Sequence, residues 1–133
     1  MIVVDSSVWI GLLRNSDSPP VRRLREIADM EDDRLLVGDL ILLEVLQGAR
    51  DEAHAARIER GLRRFPVVPM LGDAIAVQAA RNYRLLRARG ITVRKTKDTI
   101  IGAFCIAGGH FLPHDDRDFD PMEVHLGLRT VAA

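Results

Sequence analysis

The sequence predicts an α/β domain whose parallel sheet is covered by helices on both faces. Three observations predict it. Short unbroken apolar runs alternate with longer segments whose apolar residues recur at spacings of three and four. Gly, Pro, Asn and Asp clusters fall between these segments rather than inside them. No internal repeat, low-complexity tract or interdomain linker interrupts the alternation, and 133 residues suit a single domain spanning 1–133.

Residues 1–4 read as a short buried strand, and Asp5-Ser6-Ser7 as the turn that opens a helix from Ser6 to Leu13. Asn15 to Pro20 is a loop by composition. Val21 to Ala28 is helical, with Val21, Leu24, Ile27 and Ala28 on one face. Asp29 to Arg34 is a charged turn in which Glu31, Asp32 and Asp33 face solvent, and Leu35-Leu36-Val37 is a second strand. Asp39 is expected to cap a helix from Leu40 to near Gly48, and another helix covers Glu52 to Phe65. Pro66 to Pro69 is extended. Gly72-Asp73 caps a long helix that stops before Gly90. A further helix begins at Asp98, buries Ile100, Ile101, Phe104 and Cys105, and stops at Gly108-Gly109. His110 to Pro113 and Leu128 to Val131 are the last two strands, which makes a sheet of four to five.

Bulk composition narrows the class. Apolar residues at 47% supply a core, and charged residues at 29% are too few and too mixed for a disordered chain. No apolar run approaches the roughly 20 residues of a bilayer span. The first residues lack the basic and apolar regions of a signal peptide, and Cys105 is the single cysteine, so a cytoplasmic protein is expected. Nineteen basic and nineteen acidic residues cancel, which disfavours coating of nucleic acid by bulk charge but leaves local patches open. Seventeen of the basic residues are arginines; they serve bidentate phosphate contacts or reflect a GC-rich genome. Arg57, Arg60, Arg63 and Arg64 form a stripe that either binds RNA or is a plain exposed face.

The acids carry the functional signal. Ligands of open α/β sheets bind beyond the carboxyl ends of the strands. Asp5 follows the first strand, and Asp115, Asp116 and Asp118 follow the strand at 110–113, so both groups point to one sheet edge. Glu44 lies in the apolar stretch Leu40 to Leu46, where a lone charge is costly unless it binds something or reaches out to solvent. Asp98 follows Arg94-Lys95-Thr96-Lys97 and precedes an apolar helix. Each acid alone has an ordinary use as a cap, a turn residue or a partner of the helix dipole. Asp39 and Asp73 are read as caps, and Asp17, Asp51 and Asp120 as solvated turn residues. What sets these acids apart is their coincidence of position.

Taken in order, these motifs resemble a PIN domain, specifically the VapC toxin family of bacterial type II toxin–antitoxin pairs. Met1-Ile2-Val3-Val4-Asp5-Ser6-Ser7-Val8-Trp9-Ile10 is similar to the family's opening strand, acid, small hydroxyl residues and apolar helix. Glu44 stands where the family carries its glutamate. Asp98-Thr99-Ile100-Ile101-Gly102-Ala103 resembles the family's aspartate and small-residue helix, and His114-Asp115-Asp116-Arg117-Asp118-Phe119 its late acidic segment.

The resemblance implies a metal site of Asp5, Glu44, Asp98 and Asp116, with Asp118 a fifth member that closes it or holds the loop. Asp116 is preferred to its neighbour Asp115 because it keeps the two-residue step to Asp118-Phe119. Ser7 is expected to hydrogen-bond a ligand carboxylate or the scissile phosphate. Arg94, Lys95, Lys97 and Arg117 are the candidate phosphate contacts, one or two of them engaged and the rest solvated. The family implies a three-layer fold, a homodimer or larger assembly, a cognate VapB-like antitoxin, contact with DNA only through that antitoxin, and no membrane; an arginine of the antitoxin is expected to pair with the acids. The implied substrate is transfer or ribosomal RNA, cut at a structured loop to arrest translation.

Converging carboxylates repel one another, so raised pKa values are expected, and a divalent cation relieves the repulsion. All-oxygen ligands favour Mg2+ or Mn2+, one or two ions, over zinc, although His110 and His114 flank the site in sequence. Such ions activate water, orient the phosphodiester and stabilise the leaving oxygen. Rival readings fit less well. A haloacid-dehalogenase-type phosphatase needs a second acid at the position of Ser7, a response-regulator receiver needs paired early acids, and a non-catalytic PIN scaffold tends to lose acids that are all present here. Trp9, Tyr83 and Phe119 are assigned to the core or a dimer interface.

Overall fold

The computed structural model describes residues 1–30 and 34–130. Strand β1 (Ile2–Val3) pairs in parallel with β2 (Leu35–Gly38), and β2 pairs in parallel with β3 (Val67–Val68). Phe111 bridges Ile2 on the other side of β1, and Arg129 bridges Phe111, both in parallel. The sheet therefore runs β3-β2-β1-Phe111-Arg129. The two outer segments expected as strands pair over one residue each, and the Val131 end of the last lies outside the described residues, as do Glu31, Asp32 and Asp33.

Between the strands lie α1 (Ser6–Leu13), α2 (Pro19–Asp29), α3 (Asp39–Gln47), α4 (Glu52–Leu62), α5 (Asp73–Ala88), α6 (Thr96–Gly108) and α7 (Asp120–Leu126). Helices α1 to α4 pack among themselves, and α5 to α7 among themselves. Right-handed crossovers put the first set on one face of the sheet, and the reversal of strand order after β3 puts the second set on the other. Consecutive residues Ile2, Val3 and Val4 are all buried, as a strand covered on both sides requires. Around them Leu24, Ile27, Leu35, Ile41, Ile101, Leu112 and Phe119 fill the core.

Several local expectations are corrected. Gly38 is the N-cap of α3 and Asp39 its first residue; the Asp39 carboxylate instead accepts the Met70 N–H at 3.1 Å, tying α3 to the segment after β3. Asp51 is solvent-exposed, as expected, and has a structural role besides. It caps α4 by accepting the His54 N–H at 2.8 Å, a bond that pulls its pKa down. Helix α6 starts at Thr96, two residues ahead of Asp98, and Gly109 ends it with φ +66°, a left-handed conformation that glycine adopts without strain. Asp120 opens α7, a helix absent from the sequence-based assignment.

Candidate metal centre

The acids collect where the strand order reverses. The Asp5 N–H donates to the Pro113 carbonyl at 3.0 Å, which joins the end of β1 to the end of the segment around Phe111. Ligand sites of open α/β sheets lie at such a switch point.

Asp5 is the N-cap of α1 and only 3% exposed. Its Oδ2 accepts both the Ser7 N–H, at 3.0 Å, and the Ser7 hydroxyl, at 2.6 Å. The same hydroxyl accepts the Asp115 N–H at 3.0 Å. Of the two roles expected for Ser7, support of a carboxylate is the one this geometry displays. Glu44, on α3, accepts the Ser6 hydroxyl at 3.0 Å and also pairs with the Lys97 ammonium.

Asp98 sits in the first turn of α6 and is 1% exposed. Helix α6 lies close to α7 because residue 102 is glycine; a Cβ there would collide with the Met122 sulfur. Asp116 accepts the Asp118 N–H at 2.9 Å and so caps the 3-10 turn Arg117–Phe119, whose Phe119 ring is fully buried. Ligand oxygens of Asp98, Asp116 and Asp118 lie within 4.8 Å of one another. Asp115 is exposed and lends its backbone N–H, so Asp116 is the member of the adjacent pair that joins the cluster.

Three cations ring the acids. Lys95 Nζ lies 3.5 Å from Asp116, the Arg94 guanidinium lies 3.3 Å from Asp118, and Lys97 holds Glu44. Each of these three contacts an acid, and Arg94 is at the same time 79% exposed to solvent. Arg117 lies exposed on the 3-10 turn.

The electrostatics follow from crowding and burial. Burial pushes the Asp98 carboxyl up to about 6, and Asp116 pushes it the same way. Burial also raises Asp5; the Ser7 bonds oppose that rise and the Glu44 charge adds to it. For Lys97, burial works against the charge, but the bond and charge of Glu44, with Asp98 and Asp5, outweigh it and hold the ammonium above its ordinary range.

One oxygen from each of four acids is buried without a hydrogen-bond partner among the described residues: Asp5 Oδ1, Glu44 Oε1, Asp98 Oδ2 and Asp118 Oδ2. A buried carboxylate oxygen left bare is costly. A hard divalent cation with all-oxygen ligands fits this donor set. The histidines stand otherwise, with His110 stacked on Phe104 at 5.3 Å and His114 bonded to Glu123 at 2.9 Å. Sequence reasoning did not single out Ser6, the partner of Glu44; the tandem hydroxyls after Asp5 were its signal. The aromatic residues expected at the core or an interface pack inward: Trp9 is tilted against Phe65 at 6.0 Å, Phe119 is fully buried, and Tyr83 is partly buried against the core with the Arg87 guanidinium over its ring.

The PIN-domain family profile matches residues 2–124. The VapC ribonuclease Mb1587 of Mycobacterium bovis is 34% identical over 133 residues, covering 99% of this chain and 98% of its own. The chain belongs to the PIN-domain family, among the VapC ribonucleases. Ribonuclease VapC11 of Mycobacterium tuberculosis matches with the same 34% identity and the same coverage. Among solved structures, the DNA-bound VapBC of Salmonella typhimurium superposes with a TM-score of 0.74 at 19% identity over 98% of both chains. VapBC2 of Rickettsia felis, bound to a DNA fragment from its promoter, gives 0.73 at 14% identity over 98% of both. A toxin–antitoxin complex from Klebsiella pneumoniae gives 0.68 at 18% identity over 98% of this chain and 97% of that one. At such identities the likeness establishes the PIN fold, with its parallel sheet between two helix layers.

Proposed function

We propose that this PIN domain is a divalent-metal-dependent endoribonuclease, the VapC-like toxin of a type II pair, acting in the cytoplasm on transfer or ribosomal RNA. The observation that carries the reading is the set of four buried, unpartnered carboxylate oxygens at the switch point of the sheet. Asp98, Asp116 and Asp118 would hold Mg2+ or Mn2+ directly, and Asp5 and Glu44 would complete the ligand set, for one ion or two. A bound divalent ion supplies Lewis-acid polarisation of water and phosphate and neutralises charge at the scissile group.

The protein's own part is placement. Ser7 and Ser6 fix the carboxylates of Asp5 and Glu44, so these acids need not reorganise when a cation arrives. Arg94, Lys95 and Lys97 stand within bonding range of the acids at the mouth of the site, where an RNA phosphate must approach. With a divalent ion held by Glu44, Asp116 and Asp118, Arg94, Lys95 and Lys97 would be free to join the exposed Arg117 in contacting the phosphodiester.

A partner of the VapB type is supported by the relatives' complexes and by a groove of about 350 Å³ between α1, α3 and α4. Trp9, Leu12, Leu13, Ile58 and Phe65 line it, with Arg57 and Arg64 at its edge. Helix α1 joins the two regions, since its first turn carries the Asp5 bonds and its later turns line the groove. An antitoxin segment lying there would deliver an arginine to the acids, and would carry any contact with DNA. For a homodimer, the exposed side chains of Leu71, Val77 and Leu85 on and beside α5 offer apolar surface.

The test is to map new 5′-phosphate ends in total RNA after brief expression, with and without the adjacent antitoxin gene. Ends concentrated at one structured loop, abolished by the antitoxin, support the reading. An unchanged RNA population, or the absence of any small neighbouring antitoxin gene, contradicts it.

A further inference from the structure

A second polar group stands behind the acidic loop, and its interpretation rests on the metal-centre reading above. His114 precedes Asp116 by two residues, and its Nδ1 accepts the Asp116 backbone N–H at 3.3 Å. That nitrogen therefore carries no proton, so Nε2 carries it and donates to Glu123 Oε2 at 2.9 Å. The other Glu123 oxygen accepts the Thr130 hydroxyl at 3.3 Å. The imidazole packs against the buried Phe119 ring at 5.1 Å, and the His114 side chain is only 8% exposed. Asp120 approaches the same pair, but both ring nitrogens of His114 are already committed, which leaves no lone pair for a second ion.

The arrangement closes a mechanical circuit. Asp116 and Asp118 sit on a loop whose own regular structure is one three-residue 3-10 turn, too short to hold two carboxylates at a set separation from Asp98. Glu123 belongs to α7, and α7 is seated on α6 through Met122 against Gly102. Helix α6 carries Asp98. Through His114 and Glu123 the loop is thus referenced to the helix that bears the third acid of the cluster.

We propose that His114 and Glu123 are positioning residues, a strut from α7 to the acidic loop that sets Asp116 and Asp118 for the divalent cation. Partners of this kind, one shell out from a ligand, typically change metal affinity about 10- to 100-fold when removed.

Binding of Mn2+ to the purified full-length chain, followed by calorimetry or by loss of the free-ion EPR signal, tests this. The variants are His114→Ala, Glu123→Ala and Glu123→Gln, with Asp98→Asn and the remote core change Val21→Ala as references, and each melting temperature is recorded. His114→Ala and Glu123→Ala are expected to weaken Mn2+ binding at least about tenfold. Glu123→Gln keeps an acceptor for Nε2–H and is expected to stay within about threefold of wild type, while Val21→Ala loses stability without losing affinity. If His114→Ala and Glu123→Ala melt earlier yet bind Mn2+ like wild type, the pair is merely structural and the strut is overturned. If either alanine variant fails to fold, a Glu123→Gln protein as weak as Asp98→Asn overturns the strut, since the hydrogen bond is kept. Wild-type protein that binds no Mn2+, or Asp98→Asn that binds as well as wild type, overturns the metal-centre reading and the strut with it.

Discussion

The Ser7 hydroxyl donates to Asp5 Oδ2 at 2.6 Å while accepting the Asp115 N–H at 3.0 Å, so one side chain fastens the end of β1 to the acidic loop 108 residues away. Ser7→Ala leaves a buried carboxylate oxygen and a backbone N–H without this partner, at a cost of about 1–3 kcal/mol. The expected result is a lower midpoint in urea for Ser7→Ala, with Ser7→Thr close to wild type because the hydroxyl is retained. Equal midpoints for the alanine variant and wild type would show that the bridge contributes nothing.

Asp98 gives the pH dependence a definite sign. Its carboxyl is raised from 3.8 to about 6, first by burial and then by Asp116, so the folded chain holds this proton more tightly than the unfolded chain. The stabilisation is complete below about 4 and disappears as pH rises through about 6. A shift of this size corresponds to at most about 3 kcal/mol. In chelator, Asp98→Asn is therefore expected to gain on wild type as pH climbs from 4 to 7, read as the difference in melting temperature between the two proteins. A difference that stays flat or shrinks rules out a buried, strained Asp98. Because the ligand must shed its proton, divalent binding to wild type is expected to weaken below about pH 6.

The legible part of this molecule is the part governed by short-range chemistry. Helix α1 was delimited correctly as Ser6–Leu13, because Asp5 caps it and an apolar run follows at once. Asp5, Asp98 and the acids from Asp115 to Asp118 stand out by their places at strand ends and a helix start, and Glu44 stands out as a lone charge in the apolar stretch of α3. Their grouping into one site is what the resemblance to PIN domains implies. Helix α7 was missed because Asp120-Pro121-Met122-Glu123 reads as a charged tail in which one residue, Met122, is buried. The role of Asp39 is not legible locally because its partner, Met70, is 31 residues away. The same limit hid the pairing of Lys97 with Glu44, 53 residues apart, and the bond from Ser6 to Glu44, 38 apart. Periodicity carries no information about such partners; tertiary packing chooses them.

Lys97 supplies the third prediction. Its ammonium neutralises Glu44 and is drawn also by Asp98 and Asp5. Lys97→Met removes a competitor for Glu44 and leaves the cluster more negative. Mn2+ is expected to bind roughly fivefold more tightly, about 1 kcal/mol, while the KM for RNA rises because a phosphate contact is gone. Isothermal titration with Mn2+ and steady-state cleavage of an RNA substrate read the two effects separately. Weaker Mn2+ binding in Lys97→Met would mean that Lys97 supports the ion site rather than competing for it.

Gly102 makes the fourth. Gly102→Ala drives a methyl group into the Met122 sulfur, so the buried Met122 side chain must move and the fit of α7 on α6 is loosened. Overpacking of this kind costs about 1–3 kcal/mol, and Gly102→Ala with Met122→Ala is expected to recover part of the loss. Thermal melts of the single and double variants check this. Strict additivity of the two changes would show that the close approach of the helices is not what requires glycine here.

The central claim, that these carboxylates hold a catalytic divalent ion, is tested most directly by cleavage of a structured RNA by purified protein in Mg2+. Wild type, Asp5→Asn and Asp98→Asn are compared with and without EDTA. The account predicts cuts that leave 5′-phosphates, abolished by EDTA and reduced at least about 100-fold in both variants. Asp98→Asn protein that nicks RNA as fast as wild type, or cleavage that persists in EDTA, would contradict it.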